Sequence, residues 1–160
     1  MNDADILVID DEIELCEIMV LKFTRQGYKV KACHSAQEAE EYLSQHIPPL
    51  ILCDINMPKK SGLEFVNDLR EKRMPCAVVM VTAYADKEKM LEAMRLGCVD
   101  FITKPFKFGH MVDCLPLWLE IGNTLQRLTK EKDLSEIEQG LEVIDTIRVK
   151  ANLMARRRSA

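Results

Sequence analysis

Short apolar runs alternate with longer amphipathic stretches over the first two thirds of the chain. Runs such as residues 6–9 and 51–53 lack a polar residue at every second position, which is typical of strands covered on both faces of a sheet, whereas residues 29–33 alternate as an edge or half-covered strand does. Strands are predicted at residues 6–10, 29–33, 50–54, 77–82 and 100–103, and helices at residues 12–26 and 35–44, from after the loop 55–62 to about 71, and at 86–96. Strands and helices that alternate through such short connections imply a parallel sheet with right-handed crossovers.

Local signals support several of these helix boundaries. Gly27 and Gly97 are suited to end helices, because glycine adopts the left-handed conformation that closes them. Ser35 is suited to begin one, and Glu38 three residues later predicts a reciprocal capping box.

Polar side chains stand at the ends of the apolar runs. Asp10 and Asp11 follow the first run, Asp54 follows the third, Thr82 ends the fourth and Lys104 follows the fifth. Each alone has an ordinary structural explanation, such as a helix cap or a surface charge. Because parallel sheets form their ligand sites at the carboxyl ends of the strands, we expect these side chains to converge. Three acids, a hydroxyl and an amine together suit a divalent metal and a phosphoryl group.

From about residue 106 the pattern is helical only. Apolar residues recur at spacings of three and four, first at Trp118, Ile121, Leu125 and Leu128, then at Leu134, Ile137, Leu141 and Ile144. Pro116 removes a backbone donor and predicts a kink or a helix start. The stripe is more apolar surface than a monomer usually exposes, so we expect a homodimer through it rather than a helix folded back on its own domain.

Composition narrows the class of protein. The net charge of −4 argues against general nucleic-acid binding, and the basic residues 156–158 are too few to reverse that. The six cysteines lack metal-type spacing, and most lie in apolar runs, which indicates reduced thiols in a reducing compartment. The sequence has no signal peptide and no apolar run approaching about 18 residues, so we expect a cytoplasmic protein without a membrane segment.

Together these residues resemble the receiver domain of two-component response regulators, over about residues 3–128. The resemblance rests on Asp10-Asp11, on Asp54 within CDINMP, on Thr82-Ala83 and on Lys104-Pro105-Phe106. It implies a flavodoxin-like, doubly wound α/β fold whose five-stranded parallel sheet has the order 2-1-3-4-5. We place the receiver domain at residues 1–128 and a helical extension, for dimerisation or as a linker, at residues 129–160.

The resemblance also implies a role for each site residue. Asp54 would accept the phosphoryl group. Asp10, Asp11, Asp54 and the backbone carbonyl of Asn56 would hold Mg²⁺, which Mn²⁺ can replace, with Asp10 acting partly through water. A hard cation suits this set because it offsets the repulsion between carboxylates, about 4 kcal/mol for two of them ~4 Å apart at an effective dielectric near 20.

Phosphoryl binding and switching are assigned to the later strand ends. Lys104 and Thr82, with Ala83 beside it, would contact the phosphoryl oxygens, and Phe101 would rotate inward as Thr82 moves. The bond between Lys104 and Pro105 would be cis, which turns Lys104 toward Asp54.

The function implied is that of a response regulator. A sensor histidine kinase or a phosphotransfer protein would donate the phosphoryl group, and a downstream protein target would bind the face formed by helix four, strand five and helix five, including Tyr84, Met90 and Phe106. The protein would catalyse only its own phosphorylation and dephosphorylation.

One alternative is that the chain is the input part of a larger regulator with an enzymatic or DNA-binding output domain. A hydrolase of the haloacid-dehalogenase type is disfavoured, because Asn56 stands where that class has a second Asp.

Overall fold

Five strands alternate with five helices across residues 3–83 and 86–130, which are the residues that the computed structural model describes. The strands are β1 (Ile6–Ile9), β2 (Val30–Cys33), β3 (Leu50–Cys53), β4 (Ala77–Thr82) and β5 (Asp100–Thr103). The helices are α1 (Ile13–Thr24), α2 (Ala36–Leu43), α3 (Gly62–Glu71), α4 (Lys87–Arg95) and α5 (Phe108–Lys130). Tyr84 and the predicted extension beyond residue 130 lie outside the described residues.

The strands form one parallel sheet in the order β2-β1-β3-β4-β5, which confirms the predicted doubly wound topology. Ile9 is level with Cys33 on one side and with Cys53 on the other, and Thr82 is level with Thr103. The carboxyl ends of the strands therefore meet at one edge of the sheet, where the predicted site residues follow.

The two faces of the sheet carry separate apolar layers. On β1, Leu7 and Ile9 point into the layer covered by α2, α3 and α4, whereas Ile6 and Val8 point into the layer covered by α1 and α5. Every residue of β1, β3 and β4 is buried. The uninterrupted apolar runs of the sequence follow from this burial on both faces.

The observed helix caps confirm some of the caps that the sequence predicts and contradict one. Gly27 and Gly97 have φ values of 94° and 75°, as expected for residues that close helices. Ser35 caps α2 by accepting the Glu38 N–H, but the Glu38 carboxylate accepts the N–H of His34 instead of that of Ser35, so the predicted capping box is wrong. A reciprocal box occurs at α3, where Ser61 and Glu64 each accept the other's backbone N–H.

The last helix departs in part from two expectations. Pro116 lies inside α5, which begins eight residues earlier at Phe108, so the predicted helix start is wrong, whereas the kink stays a prediction. Trp118 and Ile121 are each only 1% exposed and pack in the layer beneath α1 and α5, so they add no exposed apolar surface. These two residues of the apolar stripe are therefore core, whereas Leu125 and Leu128 are half-buried.

Five of the six cysteines are buried, and burial affects the protonation of their thiols. It raises the pKa of the Cys16 thiol to about 12 and those of Cys33 and Cys76 to about 11, so these thiols stay protonated at neutral pH. They act as small apolar side chains in the core, as the sequence indicates. Among residues 3–83 and 86–130, no helix combines the length and the apolar character needed to cross a bilayer.

Candidate functional site

The carboxyl edge of the sheet brings together an amine and three carboxylates. Lys104 Nζ lies 2.6 Å from Asp10 Oδ2, 2.8 Å from Glu12 Oε1 and 3.4 Å from Asp54 Oδ2. Asp10 and Asp54 are 2% and 6% exposed, so their charges have little contact with bulk water. The backbone N–H of Lys104 donates to the carbonyl of Thr82 at 2.8 Å, which fixes the end of β5 against the end of β4.

The charges of this cluster depend on one another. Burial raises the pKa of the Asp10 carboxyl, and the hydrogen bonds from Lys104 and from the Glu12 N–H only partly offset it. Burial alone would lower the pKa of Lys104, but the hydrogen bonds to Asp10 and Glu12 and the charges of Asp10 and Asp54 outweigh it, so that pKa is raised. Lys104 is therefore a permanent cation at neutral pH.

The acidic side chains form a set of donors that could hold a metal ion. One carboxylate oxygen from each of Asp10, Glu12 and Asp54 lies within 4.8 Å of the other two. Hard oxygen donors in this number suit Mg²⁺. Asp11, which the sequence assigns to the metal, is exposed and does not belong to this group. The third member of the group is Glu12, which directly follows the acidic pair and to which the sequence assigned no role. The assignment of Asp11 to the metal stays a prediction.

Close backbone packing fixes the position of Asp54. Its N–H donates to the carbonyl of Ile9 at 2.9 Å, and its Oδ1 accepts the N–H of Asn56 at 3.2 Å. A Cβ added at Gly62 would lie 2.0 Å from the Asp54 carbonyl oxygen, so the first residue of α3 has to be glycine here. The loop between β3 and α3 therefore positions the Asp54 carboxylate beside Lys104.

A second set of polar contacts adjoins the acidic cluster. The Asn56 Nδ2 donates to the Thr82 Oγ1 at 3.3 Å, and the Asn56 Oδ1 accepts from Lys89 Nζ at 3.2 Å. Thr82 is fully buried, while its neighbour Ala83 is exposed. The sequence placed Thr82 and Asn56 at the site, but it gave no indication of Lys89, which reaches the site from α4.

The remaining predicted residues lie at the margins of the cluster. Phe101, on β5, is half-buried and packs against the layer formed with α2, α3 and α4. The peptide bond between Lys104 and Pro105 is cis. The arrangement as a whole offers a buried carboxylate, an adjacent permanent cation and a buried hydroxyl, which together can bind and stabilise a phosphoryl group.

The family model for the response regulator receiver domain matches residues 6–115. The chain belongs to this family.

Relatives that contain a receiver domain share moderate sequence identity with this chain. The transcriptional regulatory protein ZraR of Escherichia coli K12 is 30% identical over 110 residues, which are 69% of this chain and 25% of ZraR. The response regulator SaeR of Staphylococcus epidermidis is 31% identical over 134 residues, which are 84% of this chain and 56% of SaeR. The chain thus spans a quarter to about half of these relatives.

Solved receiver structures agree with the fold. A response regulator receiver protein from Pseudomonas putida is 27% identical and has a TM-score of 0.68, over 72% of this chain and 98% of that one. The response regulator TrrA from Thermotoga maritima, solved in complex with Mg²⁺-BeF, is 26% identical with a TM-score of 0.63, over 69% and 95% of the two chains. The receiver domain of this chain therefore has its family's architecture.

Proposed function

We propose that this receiver domain accepts a phosphoryl group on Asp54, in a Mg²⁺-dependent reaction with a sensor histidine kinase or a phosphotransfer protein as the donor. The observation that carries the proposal is the position of Lys104, whose Nζ contacts the carboxylates of Asp10, Glu12 and Asp54 together. A cation held among buried acids is suited to pair with incoming phosphoryl oxygens.

Each side chain has a separate part in the proposed reaction. The ionised Asp54 carboxylate needs no general base and attacks the phosphorus, forming an O–P bond while the P–N bond to the donor imidazole breaks. Lys104 pairs with one phosphoryl oxygen, and the buried Thr82 hydroxyl donates to another. Asp10, Asp11, Asp54 and the Asn56 carbonyl, with Glu12 beside them, would hold Mg²⁺, which would supply positive charge that lowers the repulsion between the acids and the phosphoryl group. Beyond this reaction and the hydrolysis of the aspartyl phosphate by water, which releases inorganic phosphate, we propose no catalytic activity.

We further propose that the output leaves through the face formed by α4, β5 and α5. Leu91 and Met94 on α4 are 44% and 43% exposed, which provides apolar contact area for a protein target. The cytoplasm is the compartment that suits a kinase-linked receiver with buried, reduced thiols. A homodimer through the helical extension remains part of this proposal, now resting on residues beyond 130 alone.

Incubation with Mg²⁺ and acetyl phosphate tests the acceptor. We expect intact-mass measurement to show one added phosphoryl group, which Asp54→Ala abolishes. Asp113→Ala, an exposed acid on α5, serves as the matched control and should be labelled like the unsubstituted chain. Labelling that persists in Asp54→Ala would exclude Asp54 as the acceptor, and turnover of a small phosphate ester beyond one equivalent per chain would favour a hydrolase.

A further inference from the structure

We propose that Lys89 is a positioning residue for phosphoryl transfer, acting through the Asn56 amide on the Thr82 hydroxyl. The inference rests on the proposed function and adds to it a residue from α4. Two contacts carry it: Lys89 Nζ donates to Asn56 Oδ1 at 3.2 Å, and Asn56 Nδ2 donates to Thr82 Oγ1 at 3.3 Å. The three side chains thus form one continuous line of hydrogen bonds from α4 to the end of β4.

Lys89 fixes which way the Asn56 amide faces. An ammonium group can only donate, so it requires an acceptor, and the only acceptor of the Asn56 side chain is Oδ1. With Oδ1 turned toward α4, the amide NH₂ is left facing Thr82. Without Lys89, either end of the amide could face the threonine, because a hydroxyl can both donate and accept.

The direction of the Asn56 amide sets what Thr82 can offer to a phosphoryl group. A hydroxyl has one hydrogen, and it can donate to one partner at a time. While the amide NH₂ donates to Thr82 Oγ1, that hydrogen remains available for a phosphoryl oxygen. A reversed amide would present Oδ1 to Thr82, engage its hydrogen and remove the donor from the reaction. Lys89 therefore keeps the Thr82 hydroxyl oriented for phosphoryl binding.

The same line of contacts couples α4 to the site in both directions. Lys89 lies in the first turn of α4, the helix that also exposes Leu91 and Met94. A phosphoryl group that engages Thr82 favours one position of the Lys89 ammonium, and a partner that shifts α4 changes the orientation of Asn56. Such coupling is reciprocal for equilibria, so a target that binds α4 more tightly in the phosphorylated chain will in turn favour the phosphorylated state.

Four variants test the role of Lys89 with acetyl phosphate and Mg²⁺. Lys89→Met removes the donor, and Lys89→Arg keeps a cation that can only donate. Lys87→Met removes an equal charge from an exposed position on the same turn, and Asn56→Ala removes the amide through which Lys89 acts. We expect Lys89→Met to lower the maximal phosphorylation rate about 3- to 10-fold, because that is the rate change expected from the free energy of one hydrogen bond. The acetyl phosphate concentration that gives half the maximal rate should be unchanged.

The other variants separate this role from general effects of charge. Lys89→Arg should retain most of the rate, and Lys87→Met should leave it unchanged. In the Asn56→Ala background, Lys89→Met should slow the reaction no further. Equal rates for Lys89→Met and the unsubstituted chain would overturn the inference, as would an equal loss in Lys87→Met or an undiminished loss in the Asn56→Ala background.

A second measurement needs neither metal nor phosphoryl group. In ¹⁵N-labelled protein, the side-chain NH₂ signals of Asn56, assigned by their loss in Asn56→Ala, should shift in Lys89→Met and stay in place in Lys87→Met. Unshifted signals in Lys89→Met would overturn the contact itself. An unsubstituted chain that takes up no phosphoryl group would overturn the proposed function together with this inference. A phosphorylated chain whose rate is insensitive to Lys89→Met would overturn the inference alone.

Discussion

Asp100 joins β5 to α5 through a single buried carboxylate. Its Oδ1 accepts the N–H of Phe101 at 2.8 Å, and its Oδ2 accepts the Trp118 Nε1–H at 3.1 Å. Burial raises the pKa of Asp100 above its ordinary value of 3.8, and these two hydrogen bonds and the charge of His110 only partly offset it. The folded state therefore keeps this proton at pH values where the unfolded chain has lost it.

The sign of the stability effect follows from that difference in proton binding. Because the folded state holds more protons between pH 3.8 and the raised pKa, the contribution of Asp100 to the free energy of unfolding decreases as pH rises through that window. Trp118 is the one tryptophan of the chain, so its emission reports on the carboxyl to which it donates. We expect an emission transition with a midpoint above pH 3.8 while circular dichroism still shows folded protein.

Two substitutions decide whether Asp100 causes this transition. Asp100→Asn should abolish it, since the amide does not titrate. Asp113→Asn, an exposed acid on α5, should leave both the midpoint and the amplitude unchanged. A midpoint at or below 3.8, or a transition that survives in Asp100→Asn, would contradict the assignment.

At the level of elements, α5 is held to the loop before β3 by contact between backbones. A Cβ added at Gly122 would lie 1.9 Å from the carbonyl oxygen of Pro49, and one turn later Gln126 Nε2 donates to the carbonyl of Ile47 at 2.8 Å. This close approach brings Trp118 and Ile121 into the core. The long last helix is thereby part of the domain through most of its described length.

Gly122→Ala should therefore destabilise the protein strongly. The methyl group has to displace α5 from the loop, and overpacking of this kind costs about 3 kcal/mol in the free energy of unfolding. Gly109→Ala is the matched control, because it lies in the same helix with nothing within 4 Å of an added Cβ. It should be neutral or more stable by about 0.5 kcal/mol. Urea unfolding measures both, and equal midpoints for the two variants would contradict the close approach.

The sequence predicts where the strands lie better than it predicts which surface each helix contacts. Uninterrupted apolar runs such as that of β3 indicate strands at the centre of a parallel sheet. The residues that follow such strands, Asp54 among them, then lie at the carboxyl edge of the sheet. The stripe containing Trp118 is compatible with a core helix and with a dimer seam, since both need the same spacing. Glu12 and Lys89 were missed because charged residues in the first turns of helices are common, and only the tertiary structure brings these two to the site.

At the scale of the molecule, the site and the C-terminal end of the last helix lie at opposite ends of the sheet. Asp54 and Lys104 are at the carboxyl edge, whereas the contact between Gln126 and Ile47 lies just before the amino end of β3. The hydrogen bond between Asp100 and Trp118 is a direct polar link between β5 and α5. A change at the end of β5 can therefore reach α5 through this bond.

The oligomeric state tests the use of that extension. Since Trp118 and Ile121 are buried within the domain, we expect the dimer seam to be formed by Leu134, Ile137, Leu141 and Ile144. We expect light scattering to give twice the 18.4 kDa of one chain for the full sequence, and a single-chain mass for a chain ending at Lys130. Ile137→Asp should also give the single-chain mass, because it places a charge in the seam. Gln139→Asp adds the same charge outside the apolar spacing and should remain dimeric. Equal subunit numbers for the full and the shortened chain would show that residues 131–160 hold no dimer, and the apolar spacing would then have to serve contact with another protein.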